Sequence, residues 1–279
     1  MLKLTTLALS AFLLLGATSL NGQTILPPEQ STDSMLINGV TTYVETALVS
    51  GNMDGVEDAA KDFVKEHLDQ KLREQDQVWV AEKIVINQVT DKRGDLLIYL
   101  FNQNNRIRIN MAFRLGYDVY VDPYQFPEEY QRMKGFLSFF VTKYYSEYLP
   151  DEIKKVEKEI KSKEREIKSA GKEMKRAAKD NKKLASRIKK NKKGIKKLEA
   201  KVKKMEEDNP ELAEIQVEIL EMKKEIGGYE DEISFNNGVV EVKESQLKEL
   251  NKELSTLKAE KNRLENLLKE ILTGLESYQ

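Results

Sequence analysis

The chain contains no cysteine and a single histidine, His67, among its 279 residues. Without cysteine there can be no disulfide, no thiolate chemistry and no lipid-modified N-terminal cysteine. A lone histidine on a charged helix offers no convergent ligands, so no metal site is predicted. The sequence also lacks a Gly-rich phosphate loop, a GxSxG nucleophile elbow and an HExxH zinc motif. We therefore expect a non-enzymatic protein without catalytic residues or a cofactor.

Long apolar runs are also scarce, and only one stands out, at the start of the chain. Lys3 followed by the apolar run over residues 7–17 is typical of a secretory signal. Small residues before position 20 predict cleavage after Ser19, with Gly22 or Gln23 as alternative cleavage positions, so residues 1–19 are interpreted as a signal peptide. A buried N-terminal helix is the alternative interpretation. No other run approaches the length of a membrane span. We expect a periplasmic or secreted protein with no transmembrane segment after cleavage.

The region after the signal is predicted to contain a small α+β head domain over residues 35–149. Residues 20–34 carry two prolines and are interpreted as a mobile leader. Two helices are predicted within 35–76, separated by Ser50-Gly51-Asn52, and the second has apolar residues at helical spacing. Residues 78–121 alternate between β-rich runs and turn signals, which predicts an antiparallel meander of three or four strands. A further helix is predicted over 126–149.

Residues 150–279 are predicted to form a long antiparallel coiled-coil hairpin that turns at residues 208–210. Apolar residues recur at heptad spacing through both arms, and the phase breaks at Asn209-Pro210, a typical helix start. Residues 151–205 hold 23 Lys and Arg against 9 Asp and Glu, whereas residues 206–279 hold 9 against 19. Opposite charge favours folding one arm onto the other. If the residue numbers of two facing core positions add up to 417, Asn181 and Asn236 face each other in the same layer of the coiled coil.

A basic run near the turn is the most suggestive surface feature of the sequence. An anionic partner is predicted to bind there, namely an acidic protein of the envelope, lipid headgroups or a polysaccharide. Nucleic acid is not expected for an exported protein. The alternative is a solvated arm whose charge is neutralised by the acidic second arm. The candidate residues are Lys182, Lys183, Arg187, Lys189, Lys190, Lys192, Lys193, Lys196 and Lys197.

The head offers two further candidate sites. Residues 117–148 contain 11 of the 21 aromatic residues of the chain. These 11 residues could form a stacking surface for a glycan, or they could belong to the hydrophobic core. The carboxylates Asp118, Asp122, Glu128 and Glu129 could serve as a glycosidase pair. A strand end followed by a helix start, where the dipole favours acids, explains these four carboxylates more simply.

The layout of an exported body with a Lys-rich α-hairpin loosely resembles Skp-type periplasmic chaperones, which are much shorter. The resemblance implies ATP-independent holding of unfolded clients. Three functions are therefore considered: a structural spacer or partner-docking arm in the cell envelope, a holdase chaperone, and a glycan-binding head on a stalk. The oligomeric state is not predicted.

Overall fold

The computed structural model describes residues 25–206 and 209–276, which divide into two compact units. The first, called the head unit, contains the residues up to Pro150 together with the segment from Leu264 onward. The second, called the helical unit, is Asp151–Arg263. The predicted signal peptide, the first residues of the predicted leader and Asp208 of the predicted turn lie outside the described residues.

The head unit contains a seven-stranded antiparallel sheet, which confirms an antiparallel α+β head. Its strands are β1 (Glu29–Ile37), β2 (Val40–Val49), β3 (Arg73–Gln75), β4 (Val78–Ile84), β5 (Gly94–Gln103), β6 (Arg106–Gly116) and β7 (Val119–Tyr120). The order across the sheet is β1-β2-β6-β5-β4-β3, and β7 pairs with β6. The predicted meander of three or four strands covers β4 to β7, so the predicted strand count is too low.

The sequence analysis did not predict β1 and β2, which form a hairpin at the start of the sheet. Residues 29–34, expected in the leader, form most of β1, and the helix predicted from residue 35 is wrong. Strand β1 is polar and almost wholly exposed, so it shows no alternation of apolar residues. The hairpin turn does have a sequence signal. Asn38 and Gly39 have φ angles of 51° and 83°, and Asn-Gly with two positive φ angles is characteristic of a type I′ hairpin.

The same turn geometry recurs twice more along the sheet. Asp76 and Gln77 join β3 to β4 with φ angles of 49° and 67°. Asn104 and Asn105 join β5 to β6 with φ angles of 50° and 60°. Type I′ turns match the right-handed twist of the flanking strands, so these short polar turns fix the register of the sheet.

Two helices cover one face of the sheet. Helix α1 (Met53–Leu68) begins at Asn52, whose side-chain oxygen accepts a 2.7 Å hydrogen bond from the Gly55 amide. Its predicted apolar face is confirmed, because Val56, Ala60, Phe63 and Val64 are buried. The Phe63 ring packs on Phe136 and Phe140 of the second helix. The opposite face of the sheet has a separate buried cluster, formed by Ile37, Val44, Val80, Leu97, Ala112 and Tyr120.

The second and third helices are far longer than α1. Helix α2 (Pro127–Val202) continues through Pro150, where the boundary between the two units lies. Helix α3 is Glu211–Glu276. The Asn209 side chain accepts a 2.9 Å hydrogen bond from the Glu211 amide, which confirms Asn209 as the predicted cap of α3.

Within the helical unit, α2 and α3 run antiparallel. Lys163 contacts Glu253 at 2.9 Å, and Lys201 contacts Glu211 at 3.1 Å, so residue numbers rise along one helix as they fall along the other. The predicted contact between Asn181 and Asn236 is confirmed by a 2.9 Å hydrogen bond from Nδ2 of Asn236 to Oδ1 of Asn181. The Asn181 amide in turn donates to Oδ1 of Asn237. The buried cluster between the helices is Ile188, Ile195, Ile215, Ile219 and Ile226.

Three glycines of α3 lower the stability of the helical unit without a packing reason. A Cβ atom added to Gly227, Gly228 or Gly238 would meet no atom within 4 Å. Glycine costs about 1 kcal/mol relative to alanine inside a helix. We expect the triple substitution to alanine to stabilise the unit by about 2–3 kcal/mol. Chemical denaturation followed by circular dichroism would measure this, and unchanged or reduced stability would contradict it.

Candidate functional site

The basic run on α2 becomes a defined surface once the helix contacts fix its orientation. With Ile188 as heptad position a and Leu184 as position d, both buried, positions b, c and f point away from α3. From residue 154 to residue 200 these positions number 21, and all of them are exposed. Lys or Arg occupies 17 of the 21, and none is acidic.

We call this surface the basic face. Lysine occupies position b in every one of seven successive heptads. The residues of the basic face are Lys154, Lys155, Lys158, Lys161, Arg165, Lys168, Lys172, Lys175, Arg176, Lys179, Lys182, Lys183, Lys189, Lys190, Lys193, Lys196 and Lys197.

The acidic residues of α2 are placed differently from its basic residues. Between residues 152 and 200 they all occupy positions e and g, which flank the contact with α3. These residues are Glu152, Glu157, Glu159, Glu164, Glu166, Glu173, Asp180 and Glu199. The two signs are therefore segregated on one helix, with acids beside α3 and bases facing outward.

Ion pairs between the helices use these flanking acids. Glu157 contacts Lys261 at 2.8 Å, Glu164 contacts Lys258 at 3.3 Å and Glu173 contacts Lys243 at 2.9 Å. A hydrogen bond from the Lys261 ammonium holds the pKa of Glu157 below its usual value, and Lys243 does the same for the pKa of Glu173. Among the described residues, α2 supplies the acid in four ion pairs with α3, the fourth being Glu199 with Lys223, and the cation in three.

The basic face makes no ion pair with α3 among the described residues. The cross-helix pairs that use a cation of α2 involve Lys163, Lys192 and Lys201, none of which lies on the basic face. Three lysines of the basic face pair with acids three residues earlier on α2 itself: Lys154 with Asp151, Lys155 with Glu152 and Lys183 with Asp180. The acidic second arm therefore leaves most of this positive charge unpaired.

The nine candidate residues predicted from the sequence fall into two groups. Seven lie on the basic face: Lys182, Lys183, Lys189, Lys190, Lys193, Lys196 and Lys197. The other two lie on the flanks, where Lys192 pairs with Glu230 at 3.2 Å and the Arg187 guanidinium sits 5.8 Å from the Tyr229 ring centroid. The prediction missed the ten basic residues of the face before residue 182, although lysine at every seventh residue from Lys154 is visible in the sequence.

Most of the Tyr-rich region of the head is core. Tyr120, Tyr130, Tyr144 and Tyr145 are buried, and burial raises the pKa of Tyr130 and Tyr145. The Tyr145 hydroxyl accepts from the Ser50 amide and donates to the Leu26 carbonyl. Tyr117 and Tyr124 are 94% and 77% exposed, so only these two present most of a ring to solvent.

Two of the remaining sequence candidates, His67 and Asp122, have structural contacts. His67 is exposed and packs its ring against Phe63 and Phe139. Asp122 accepts hydrogen bonds from the Tyr124 and Gln125 amides before α2, as expected of a helix start. Among the described residues no group of three or more His, Asp or Glu could hold a metal ion. Over the same residues, no helix is long and apolar enough to cross a membrane.

Comparison with known proteins adds no relative. No protein-family model matches the chain, and the curated proteins contain no significant match.

Proposed function

We propose that the protein is an exported, non-enzymatic component of the cell envelope whose helical unit is a docking arm for an anionic partner. The observation that carries this proposal is the unneutralised basic face of α2. A surface that serves only solubility mixes both signs of charge. Here 17 of 21 outward positions are basic and none is acidic, over seven heptads.

We further propose that α2 and α3 pack as an antiparallel coiled coil throughout the helical unit. The Asn181–Asn236 hydrogen bond supports this register, because a paired asparagine at the contact between two helices specifies alignment at some cost in stability, and here the pair is half-buried. Because the chain contains no native cysteine, a disulfide can form only between cysteines that are introduced. Asn181→Cys/Asn236→Cys should form a disulfide within one molecule, whereas Asn181→Cys/Asn251→Cys should not. Crosslinking only between molecules would contradict the register.

The docking proposal is tested by comparing two variants with the same loss of charge. One carries Lys182→Gln, Lys189→Gln and Lys196→Gln on the basic face. The matched control carries Lys224→Gln, Lys248→Gln and Lys252→Gln, which are exposed on α3 and make no ion pair with a described residue. Envelope extracts are crosslinked to each purified protein. We expect the basic-face variant to lose the partners that the wild type and the control retain; equal capture by both variants would overturn the proposal.

A holdase chaperone is the second candidate, and the outward side of α3 is the observation that favours it. Val217, Leu220, Phe235 and Val242 are exposed there, Leu220 by 65% and Phe235 by 72%. Exposed apolar side chains can contact the apolar segments of an unfolded client. A holdase should suppress aggregation of an unfolded porin without ATP, and Leu220→Ser/Phe235→Ser should abolish that effect. Aggregation at the rate of a buffer control would exclude it.

A further inference from the structure

The coiled-coil packing proposed above would make the basic face wind around the helical unit. A strict seven-residue repeat imposes a left-handed supercoil with a pitch of about 140–210 Å. From Lys154 to residue 200 the face extends about 70 Å, at about 1.5 Å per residue. Because positions b, c and f keep a constant offset from α3, the face turns about the common axis by roughly a third to a half of a turn over this length.

This winding limits which anionic ligand can contact the whole face. A flat surface of lipid headgroups would meet the lysines on one side of the supercoil and lose those that have turned away. A flexible chain can follow the face from Lys154 to Lys197, contacting a lysine at position b about every 10 Å. A ligand that contacts all the lysines of the basic face is therefore a linear chain and not a planar surface.

The side-chain chemistry indicates what the face recognises. Of its 17 basic residues, 15 are lysine and only Arg165 and Arg176 are arginine. Lysine presents a mobile point charge, whereas arginine suits bidentate recognition of one planar anion. The other four positions are Ser162, Ser169, Ser186 and Ala200, so no aromatic ring is available for stacking. The face is suited to charge density rather than to one chemical group.

We propose that the basic face binds a flexible linear polyanion that carries a charge on each repeat unit and lies along α2 over all seven heptads. This inference rests on the proposed docking function and specifies its ligand.

Polyphosphate is a suitable probe because its length can be varied without changing its chemistry. Fluorescence anisotropy of a labelled long-chain polyphosphate, with tripolyphosphate as the short competitor, measures affinity as a function of length. We expect the long chain to bind at least about a hundredfold more tightly per molecule, and to weaken by about a thousandfold between about 50 and 200 mM salt. Equal affinity for the two lengths would overturn the inference.

The two charge variants locate the binding. Lys182→Gln/Lys189→Gln/Lys196→Gln should weaken long-chain binding by at least about tenfold and lower its dependence on salt. The α3 control, Lys224→Gln/Lys248→Gln/Lys252→Gln, should bind within about twofold of the wild type. Circular dichroism checks that both remain helical. Equal weakening in the two variants would mean that net charge, and not this face, is recognised, and the inference would fail.

Anionic vesicles serve as the rival ligand. Flotation with phosphatidylglycerol vesicles is compared with polyphosphate binding at matched charge concentration. Tighter binding to vesicles would overturn the inference while leaving a docking arm in place, since an anionic surface would then be the partner. Binding to neither probe would also overturn the inference. In that case partner capture by the basic-face variant would still decide separately whether the arm docks on an acidic protein.

Discussion

Gly51→Ala should destabilise the head unit by about 3–5 kcal/mol. Gly51 has a φ angle of 140°, which side-chain-bearing residues rarely adopt. A Cβ atom here would lie 2.0 Å from the hydroxyl oxygen of Tyr144. That hydroxyl is buried and donates a 2.8 Å hydrogen bond to the Ser50 carbonyl, so it cannot move without losing the bond. Urea unfolding followed by tyrosine and tryptophan fluorescence would measure the loss.

Two controls separate backbone strain from the steric clash. Gly135→Ala makes the same chemical change within α2, where a Cβ meets nothing within 4 Å, and should stabilise the unit by up to about 1 kcal/mol. Tyr144→Phe removes the clashing oxygen, so Gly51→Ala should cost about 1–2 kcal/mol less in that background. If Gly51→Ala were as mild as Gly135→Ala, the loop geometry around residue 51 would be wrong.

Arg106→Leu should cost the head unit about 3 kcal/mol. The Arg106 side chain is 7% exposed and donates to the Glu29 carboxylate and to the carbonyls of Pro27 and Leu48, at 2.5–2.6 Å. Leucine is apolar and too short to reach the guanidinium position, so it leaves two carbonyls without their charged donor. These bonds hold the segment before β1 together with the hydrogen bonds of Leu26 to Ser50 and Tyr145, so limited proteolysis near residues 25–28 should accelerate along with a lower denaturation midpoint.

Arg108→Leu is the matched control for this prediction. Arg108 lies two residues further along β6, pairs with the half-exposed carboxylate of Asp33, and keeps 27% of its side chain exposed. An exposed pair contributes about 1 kcal/mol or less, so this variant should remain near wild-type stability and protease resistance. A larger effect from Arg108→Leu than from Arg106→Leu would contradict the assignment of Arg106 as the anchor of the segment.

The helical unit was predictable from the sequence because its information is local and periodic. The heptad phase, its break at Asn209-Pro210 and the charge of each arm predict two antiparallel helices, and Asn181 meets Asn236 as expected.

The head unit was harder to predict from the sequence. Strands β4 to β6 alternate or are continuously apolar, but β1 is polar, and β2 pairs with β6 some sixty residues away, between Glu45 and Met111 among others. The Asn38-Gly39 signal was the one local indication of the missing hairpin.

The basic face, too, was predictable from the sequence only in part. The lysines from residue 182 to residue 197 are evident from composition, and the seven-residue lysine repeat back to Lys154 can also be found in the sequence. Their lack of neutralisation is not evident, because the arms have opposite charge and pairing between them was the natural expectation. The structure shows otherwise for the basic face, because the α2 cations that pair with acids of α3 are Lys163, Lys192 and Lys201, and none of them lies on that face.

The sequence by itself determined the two long helices, their reversal and the positions of charge around each helix, because a heptad repeat encodes its own contact face. Only the tertiary structure decided how the N-terminal hairpin completes the sheet, and which charges of α2 form ion pairs with α3. Both depend on pairing between residues distant in the chain, where the energy of a contact is set by what lies opposite and not by the local pattern.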